Sequence, residues 1–268
     1  MKKGVEPDIS ILDGCQKLSS NPPTYKTEHY IVEAESKYIL KALAWAKCIE
    51  SNVYPTLLDM MGHTPKVNLH ALHFVNHKYQ FHKGKSTGAW FEKIKRFRNT
   101  NYMGSRIKIW YGKLNDQPPY RTEGDIVHET IHGLLHEAKH SSRNRTINWE
   151  PIRQGKSHLL ESIFEIELSQ RLGNETKSKE RYRKCVNKGG IHTILAKFLK
   201  AYRWEPFQSL IIRLHDDPDF PPTLNQNNFV YHMSLFAKEN VSDFFEKQGW
   251  NIDKKTKEKI KEDLQQKE

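Results

Sequence analysis

Cysteine is scarce in this 268-residue chain, which contains only Cys15, Cys48 and Cys185. These three are widely separated and form no C-x-x-C pair, which excludes a disulfide framework and a cysteine-rich metal site. No stretch approaches the length of about eighteen apolar residues that a membrane span needs, so no transmembrane helix is expected. Met1–Asp8 also lack the apolar run of a signal peptide, which predicts a cytoplasmic protein, or a secreted one if the start has been trimmed.

Nucleic-acid-binding motifs are also absent, although the chain is basic. It carries 43 Lys and Arg against 32 Asp and Glu, a formal net charge of +11, with basic residues gathered in Lys78–Arg98 and Lys177–Lys184. This excess favours an acidic or polyanionic partner, or simply solubility. Without an RNA- or DNA-binding signature, a nucleic-acid partner is not expected. No pattern in the sequence indicates an oligomeric state.

The composition is that of a folded globular protein, with 37% apolar and 28% charged residues. Its length suits one large domain or two closely packed lobes. Strands and helices are mixed in the first half of the chain and helices alone follow, which predicts an α+β fold with a small mixed sheet. We expect an irregular leader over residues 1–23, an N-terminal lobe over 24–140, a mostly α-helical C-terminal lobe over 141–252 and a charged tail over 253–268.

Hydrophobic periodicity predicts the elements of both lobes. The first are a strand over Tyr25–Glu33 and a long amphipathic helix from Ser36 to about Met61. Pro55 is expected to kink or divide this helix, and Gly62 to end it. The later elements are a strand over Val67–Phe74, a loop or weak hairpin over 76–105, a strand over Arg106–Tyr111, and helices over 157–172, 177–187, 190–203, 205–215, 227–239 and 241–248.

The stretch with the strongest chemical signal is His128-Glu129-Thr130-Ile131-His132. The two histidines are four residues apart, about 1.1 turns of an α-helix, so their imidazoles project from the same side and can share one metal ion. Glu129 lies beside them and can reach a metal-bound water. The pattern therefore predicts a helix that holds half of a catalytic zinc site. Apolar residues recur on the other side of this helix, at Ile126, Val127, Ile131, Leu134 and Leu135.

A catalytic Zn²⁺ needs a third protein ligand and leaves one position for water. The favoured candidate is Glu161, near the start of an amphipathic helix that follows the motif. Glu165, one turn later, could accept the second ring hydrogen of a ligating histidine. His136 is less suitable, because it is rotated by about 80° from His128 around the helix. His158 is a further candidate, although nothing in its spacing recommends it.

The motif, followed by a helix carrying Glu161-x-x-x-Glu165, resembles the gluzincin class of zinc metallopeptidases. The Arg106–Tyr111 strand before the motif is a further matching piece. The long spacing between His132 and Glu161 is similar to that in the enhancin and mucin-degrading peptidases and in other small bacterial gluzincin-like proteins. Phe244–Ile252 also resembles the Phe-Phe-x-x-Trp-Gly type of segment in the enhancin and mucin-degrading group.

This resemblance implies a zincin-like N-terminal lobe in which Zn²⁺ is bound by the two motif histidines and Glu161. It implies that Glu129 is the general base in the hydrolysis of a peptide or protein substrate. Tyr231 or His232 is the implied donor to the oxyanion. In such enzymes the last strand before the zinc helix, here Arg106–Tyr111, is usually the sheet edge that pairs with an extended substrate.

Two other functions are compatible with the sequence. A catalytically inactive gluzincin-like domain could bind a partner through its basic surface and hold zinc structurally. An intact Glu129 argues against it, because a structural site needs no base beside its ligands. A polyanion-binding helical protein is the remaining alternative, and salt-dependent binding without metal content would favour it.

Overall fold

Strands mixed with two α-helices fill the described part of the chain up to residue 110, and the described residues after it are helical, which confirms the predicted α+β class. The computed structural model describes residues 9–62, 70–75, 79–80, 86–87, 89–94, 104–110, 126–131, 134–135, 158–217, 219–220 and 224–266. The chain divides into two compact units, the first made of Met1–Pro55 and Lys66–Leu134, the second of Thr56–Pro65 and Leu135–Glu268.

The first unit contains the strands and the helix that carries the histidine motif. In chain order its elements are a 3₁₀ helix (Ile9–Leu12), β1 (Gln16–Ser20), β2 (Pro23–Lys26), β3 (Tyr30–Glu33), α1 (Ile39–Asn52), the start of α2 (Tyr54–Met61), β4 (His70–Val75), β5 (Tyr79–Gln80), β6 (Ser86–Thr87), β7 (Ala89–Ile94), β8 (Gly104–Trp110) and α3 (126–131).

Within the described residues, six strands form one mixed sheet in the order β1-β2-β3-β4-β8-β7, and β5 pairs with β6 separately. The three central strands, β3, β4 and β8, run parallel, with Tyr30 opposite His70 and Ala71 opposite Arg106. β7 pairs antiparallel with the other side of β8. The expectation that Arg106–Tyr111 forms the sheet edge is therefore wrong, because β7, from a stretch expected to be loop or weak hairpin, covers that side.

The N-terminal strands also differ from expectation. Residues 16–20, expected to be irregular, form β1, which pairs antiparallel with β2. The strand expected over Tyr25–Glu33 is wrong as one element, because a turn separates β2 from β3. Thr27 closes this turn, since its backbone N–H donates to the Tyr30 carbonyl at 2.8 Å and its hydroxyl contacts the same oxygen. Period-two alternation continues through the turn, so the sequence pattern does not reveal it.

The long helix expected from Ser36 is divided, as the position of Pro55 predicted. α1 ends where the Val53 N–H donates to the Ile49 carbonyl at 2.9 Å, and α2 begins at the next residue. Proline lacks the N–H that a continuous helix would need. Gly62 ends α2 with a φ of +71°, the left-handed conformation that glycine adopts without steric cost.

The second unit is helical in its described part and has an aromatic core. Its helices, after the end of α2, are α4 (His158–Arg171), α5 (Glu175–Lys188), α6 (Gly190–Tyr202), α7 (Glu205–Asp216), α8 (Gln226–Ala237), α9 (Ser242–Glu246) and α10 (Lys254–Gln265). Phe198 stacks on Phe245 with ring centroids 5.2 Å apart, and Phe229 meets Phe245 edge to face at 5.7 Å. Of the helices in the described ranges, none has the length and apolarity needed to cross a membrane.

Candidate active site

The helix predicted to carry the motif exists as α3, and its apolar side is buried as expected. Glu129 is only 8% exposed and His128 is half-buried. His132 and His136 lie outside the described residues. The structure therefore places His128 and Glu129 side by side on one helix. The buried apolar residues of this segment are Ile126, Val127, Ile131, Leu134 and Leu135.

Thr130 connects α3 to the sheet directly behind the motif. Its hydroxyl lies 3.1 Å from the Tyr30 hydroxyl of β3 and donates to the Ile126 carbonyl at 2.8 Å. Both side chains are completely buried, and burial raises the pKa of the Tyr30 phenol above its usual range. The residue that follows Glu129 in sequence is thus held by a strand, which limits rotation of the helix about its axis.

Behind this contact the first unit buries a polar aromatic cluster. The Tyr54 hydroxyl lies 3.0 Å from Nε2 of His70, and the ring of His29 stacks on Tyr54 at 4.0 Å. The backbone N–H of His29 donates to Glu50 of α1 at 2.6 Å. Burial, followed by the charge of His29, lowers the pKa of His70 to about 3, so this imidazole is neutral at physiological pH.

Glu161, the favoured third ligand, lies in the first turn of α4 in the second unit. It is 1% exposed, so its carboxylate is withdrawn from solvent. Burying a carboxylate is costly unless a cation, a metal ion or hydrogen bonds compensate its charge. The structure places His128 and Glu129 in the first unit and Glu161 in the second. The structure thus describes the motif residues and the predicted third ligand separately, each within its own unit.

Glu165, expected to accept a hydrogen bond from a ligating histidine, has a different partner within its own unit. Its Oε2 lies 3.1 Å from Nη1 of Arg181 on α5, and both side chains are largely buried. The two line a cavity of about 350 Å³ between α4 and α5, together with Ser162 and Cys185. This ion pair compensates the charge of the Glu165 carboxylate, and the role of Glu165 behind a ligating histidine stays a prediction.

Tyr231 and His232, the implied oxyanion donors, lie on α8 and contact neighbours in their own unit. The Tyr231 hydroxyl donates to Asp263 of α10, and burial together with this bond raises the pKa of Tyr231 to about 12. His232 packs against Phe220 at 4.6 Å, and burial first, then the nearby cations, lower its pKa to about 4. Both residues are half-buried, and their described contacts are thus with side chains of their own unit.

The fit to zinc can be judged from the donor types. Among the residues that the structure describes, which exclude His132, no three His, Cys, Asp or Glu side chains lie together as a metal-binding group. The motif nevertheless offers an imidazole and a buried neighbouring carboxylate on one helix, which are the donor and base of catalytic zinc sites. The types of side chain present in the motif therefore fit Zn²⁺.

Comparison with known proteins adds information on the fold. No protein-family model and no curated protein matches the sequence. Among solved structures, the chain is similar to a functionally unknown conserved protein, a mutant, from Bacillus anthracis str. Ames, with a TM-score of 0.55 and 15% identity. The match covers 90% of this chain and 51% of that one, so this chain spans about half the length of its structural neighbour. At this identity the likeness concerns the fold alone.

Sequence reasoning missed the contact between Tyr30 and Thr130. Tyr30 lies a hundred residues before Thr130, and its sequence neighbourhood shows only an ordinary β-rich segment. One available signal was Thr130 itself, since a polar residue on the apolar side of a predicted buried helix needs a hydrogen-bond partner.

Proposed function

We propose that this protein is a zinc-dependent metallopeptidase of the gluzincin type. The single observation that carries the proposal is the arrangement of α3, where Glu129 is buried beside His128 on a helix tethered to the sheet through Thr130. A buried glutamate next to a histidine ligand is the arrangement that a zinc hydrolase uses for its general base.

In this proposal His128, His132 and Glu161 are the protein ligands of the metal. Zinc bound there would lower the pKa of a water toward neutrality and polarise the substrate carbonyl. Glu129 accepts the proton of the attacking water on its carboxylate and passes it to the leaving amine nitrogen.

The oxyanion donor stays a prediction from the resemblance. Tyr231 would have to exchange its hydrogen bond to Asp263 for one to the substrate, and His232 would act as a neutral imidazole. The substrate chain is proposed to align along β7, which in the described part of the sheet pairs with β8 on one side only.

The experiment compares the full-length protein with Glu129→Gln. We expect the variant to retain zinc, measured by atomic absorption, while its hydrolysis of a broad peptide library falls about a hundredfold or more. Glu180→Gln is the matched control, because it makes the same chemical change at an exposed glutamate paired with Lys184 on α5. A chelator should abolish hydrolysis by the wild type and by the control.

Two results would count against the proposal in different ways. Undiminished hydrolysis by Glu129→Gln would remove Glu129 as the base. Stoichiometric zinc in a wild type that hydrolyses no peptide in the library would favour an inactive gluzincin-like binding protein. The intact Glu129 is the feature that argues for the enzyme over this rival.

A further inference from the structure

The second unit contains a groove whose lining includes none of the residues assigned to catalysis. We call it the α4–α6 groove, because α4, α5 and α6 line it together with the start of α7. Its cavity volume of about 890 Å³ is at the upper end of the range found for ligand-binding clefts. The buried part of the lining is apolar and consists of Ile166, Ala196, Leu199 and Trp204.

Basic side chains line the exposed part of the groove. Arg183, Lys200 and Arg203 all line it, and in the described residues none of them forms an ion pair. Lys200 lies over the ring of Tyr182, with Nζ 5.8 Å from the ring centroid. Cations that are not neutralised by neighbouring carboxylates are available to an anionic ligand.

The carboxylates of the lining are mostly engaged elsewhere. Glu167 accepts from Arg171 at 2.7 Å, and Glu175 pairs with Lys179 at 3.0 Å. Glu205 is the remaining carboxylate of the lining, and it forms no ion pair among the described residues. The three cations therefore exceed the available carboxylate charge, and the groove favours negative groups.

Arg203 supplies the observation that distinguishes this groove from an ordinary basic surface. Its backbone has a φ of 62° and a ψ of −162°, a region that is essentially restricted to glycine. At the junction between α5 and α6 the chain adopts a similar conformation with φ 72° and ψ −174°, and there the residue is Gly189. A strained arginine in place of glycine costs stability, and such strain concentrates at ligand-binding positions.

We propose that the α4–α6 groove binds an acidic segment of a protein partner, with Arg203 as its main anchor. Aspartate or glutamate side chains of the segment would pair with Arg183, Lys200 and Arg203, while its apolar side chains would contact the buried lining. The proposal does not depend on peptidase activity, because none of these residues belongs to the proposed catalytic site.

A peptide fits this groove better than a nucleic acid does. The phosphate backbone carries closely spaced negative charge and would meet the carboxylate of Glu205, which forms no ion pair among the described residues. An acidic peptide spaces its carboxylates and offers backbone amides to Glu205. The apolar floor also provides contacts that aliphatic side chains use and that phosphates do not.

The test is a fluorescence anisotropy titration of the full-length protein with a labelled peptide of glutamate and leucine. We expect binding, and a loss of affinity of about tenfold in Arg203→Gly, since a charge-assisted hydrogen bond disappears. The same substitution should raise the melting temperature, because glycine relieves the strained backbone. Arg183→Ala, on the exposed side of α5, should also weaken binding and provides a second variant without a backbone change.

Lys238→Gly is the matched control. Lys238 is exposed, has a positive φ of 55° and does not line the groove, so its replacement removes one charge and relieves backbone strain elsewhere. We expect this variant to bind the peptide like the wild type. The proposal is overturned if the wild type does not bind, if Lys238→Gly loses as much affinity as Arg203→Gly, or if a glutamine–leucine peptide or an oligothymidylate binds as well as the acidic peptide.

Discussion

At the scale of single residues, the proposed zinc site depends most on Glu161. His128 and Glu129 are adjacent on one helix, so their shared position follows from local geometry. Glu161 belongs to another helix, and its assignment as ligand comes from the resemblance to gluzincins. Its burial at 1% exposure is compatible with that role, because a metal ion is one of the few partners that compensate a buried carboxylate.

Replacing Glu161 by Ala should lower zinc affinity by about tenfold or more, since even residues behind the ligands have effects of that size. The measurement is the zinc content of purified protein after dialysis against a competing chelator. Glu167→Ala, on the same helix, serves as the control, because that side chain pairs with Arg171 and should leave zinc content unchanged. Glu165→Ala is measured alongside it. If only Glu165→Ala loses zinc, the ligand on α4 has been assigned one turn too early.

At the scale of elements, Gly62 both ends α2 and leaves room for side chains that pack against it. Gly62 was predicted as a helix terminator, and its positive φ agrees with that role. A Cβ at this position would also lie 2.8 Å from Cγ of Gln208 and from Cδ1 of Ile212. Gln208 cannot easily withdraw, because its Nε2 donates to the Asp59 carbonyl at 2.6 Å.

Gly62→Ala should therefore destabilise the protein by about 2–3 kcal/mol, from a left-handed backbone plus overpacking. Gly173→Ala is the control, because it has nearly the same φ, 72°, with nothing within 4 Å of its Cβ position. It should cost only the backbone contribution of about 1 kcal/mol. Urea denaturation gives both values, and equal losses would mean that the packing against Gln208 and Ile212 contributes nothing.

At the scale of the whole molecule, each unit contains a histidine whose pKa is lowered by desolvation. In the first unit burial lowers the pKa of His70 to about 3, and in the second burial lowers that of His232 to about 4. In the unfolded chain both histidines take up a proton near their ordinary pKa of about 6.5. Acid therefore favours the unfolded state of both units. Above a pH of about 6.5 neither histidine makes the free energy of unfolding depend on pH.

The free energy of unfolding should fall as the pH is lowered from about 6.5 toward 3, with His70 contributing up to about 1.4 kcal/mol per pH unit. His70→Gln should reduce this slope, because glutamine does not titrate in that range. The slope comes from urea denaturation at a series of pH values. A variant with the same slope as the wild type would show that His70 is protonated in the folded protein.

The sequence by itself determined the features that short-range physics controls. The α+β class, the helices of the second unit and the break before Pro55 follow from hydrophobic period, glycine and proline, which act over a few residues. The same holds for the motif, since four residues of helix place two side chains on one face whatever surrounds them. The buried apolar residues of α3 were predicted for this reason.

Only the tertiary structure decided which distant groups meet, because many partners are equally compatible with a local pattern. β7 pairs with β8 although the sequence of β7 resembles a loop. The stability of a strand comes largely from its contacts with the neighbouring strand, which the local sequence does not show. Glu165 pairs with Arg181 and Tyr231 with Asp263, although helical spacing alone left their partners open. The strain at Arg203 is likewise invisible in sequence, because surrounding packing holds its backbone in a conformation that arginine alone would avoid.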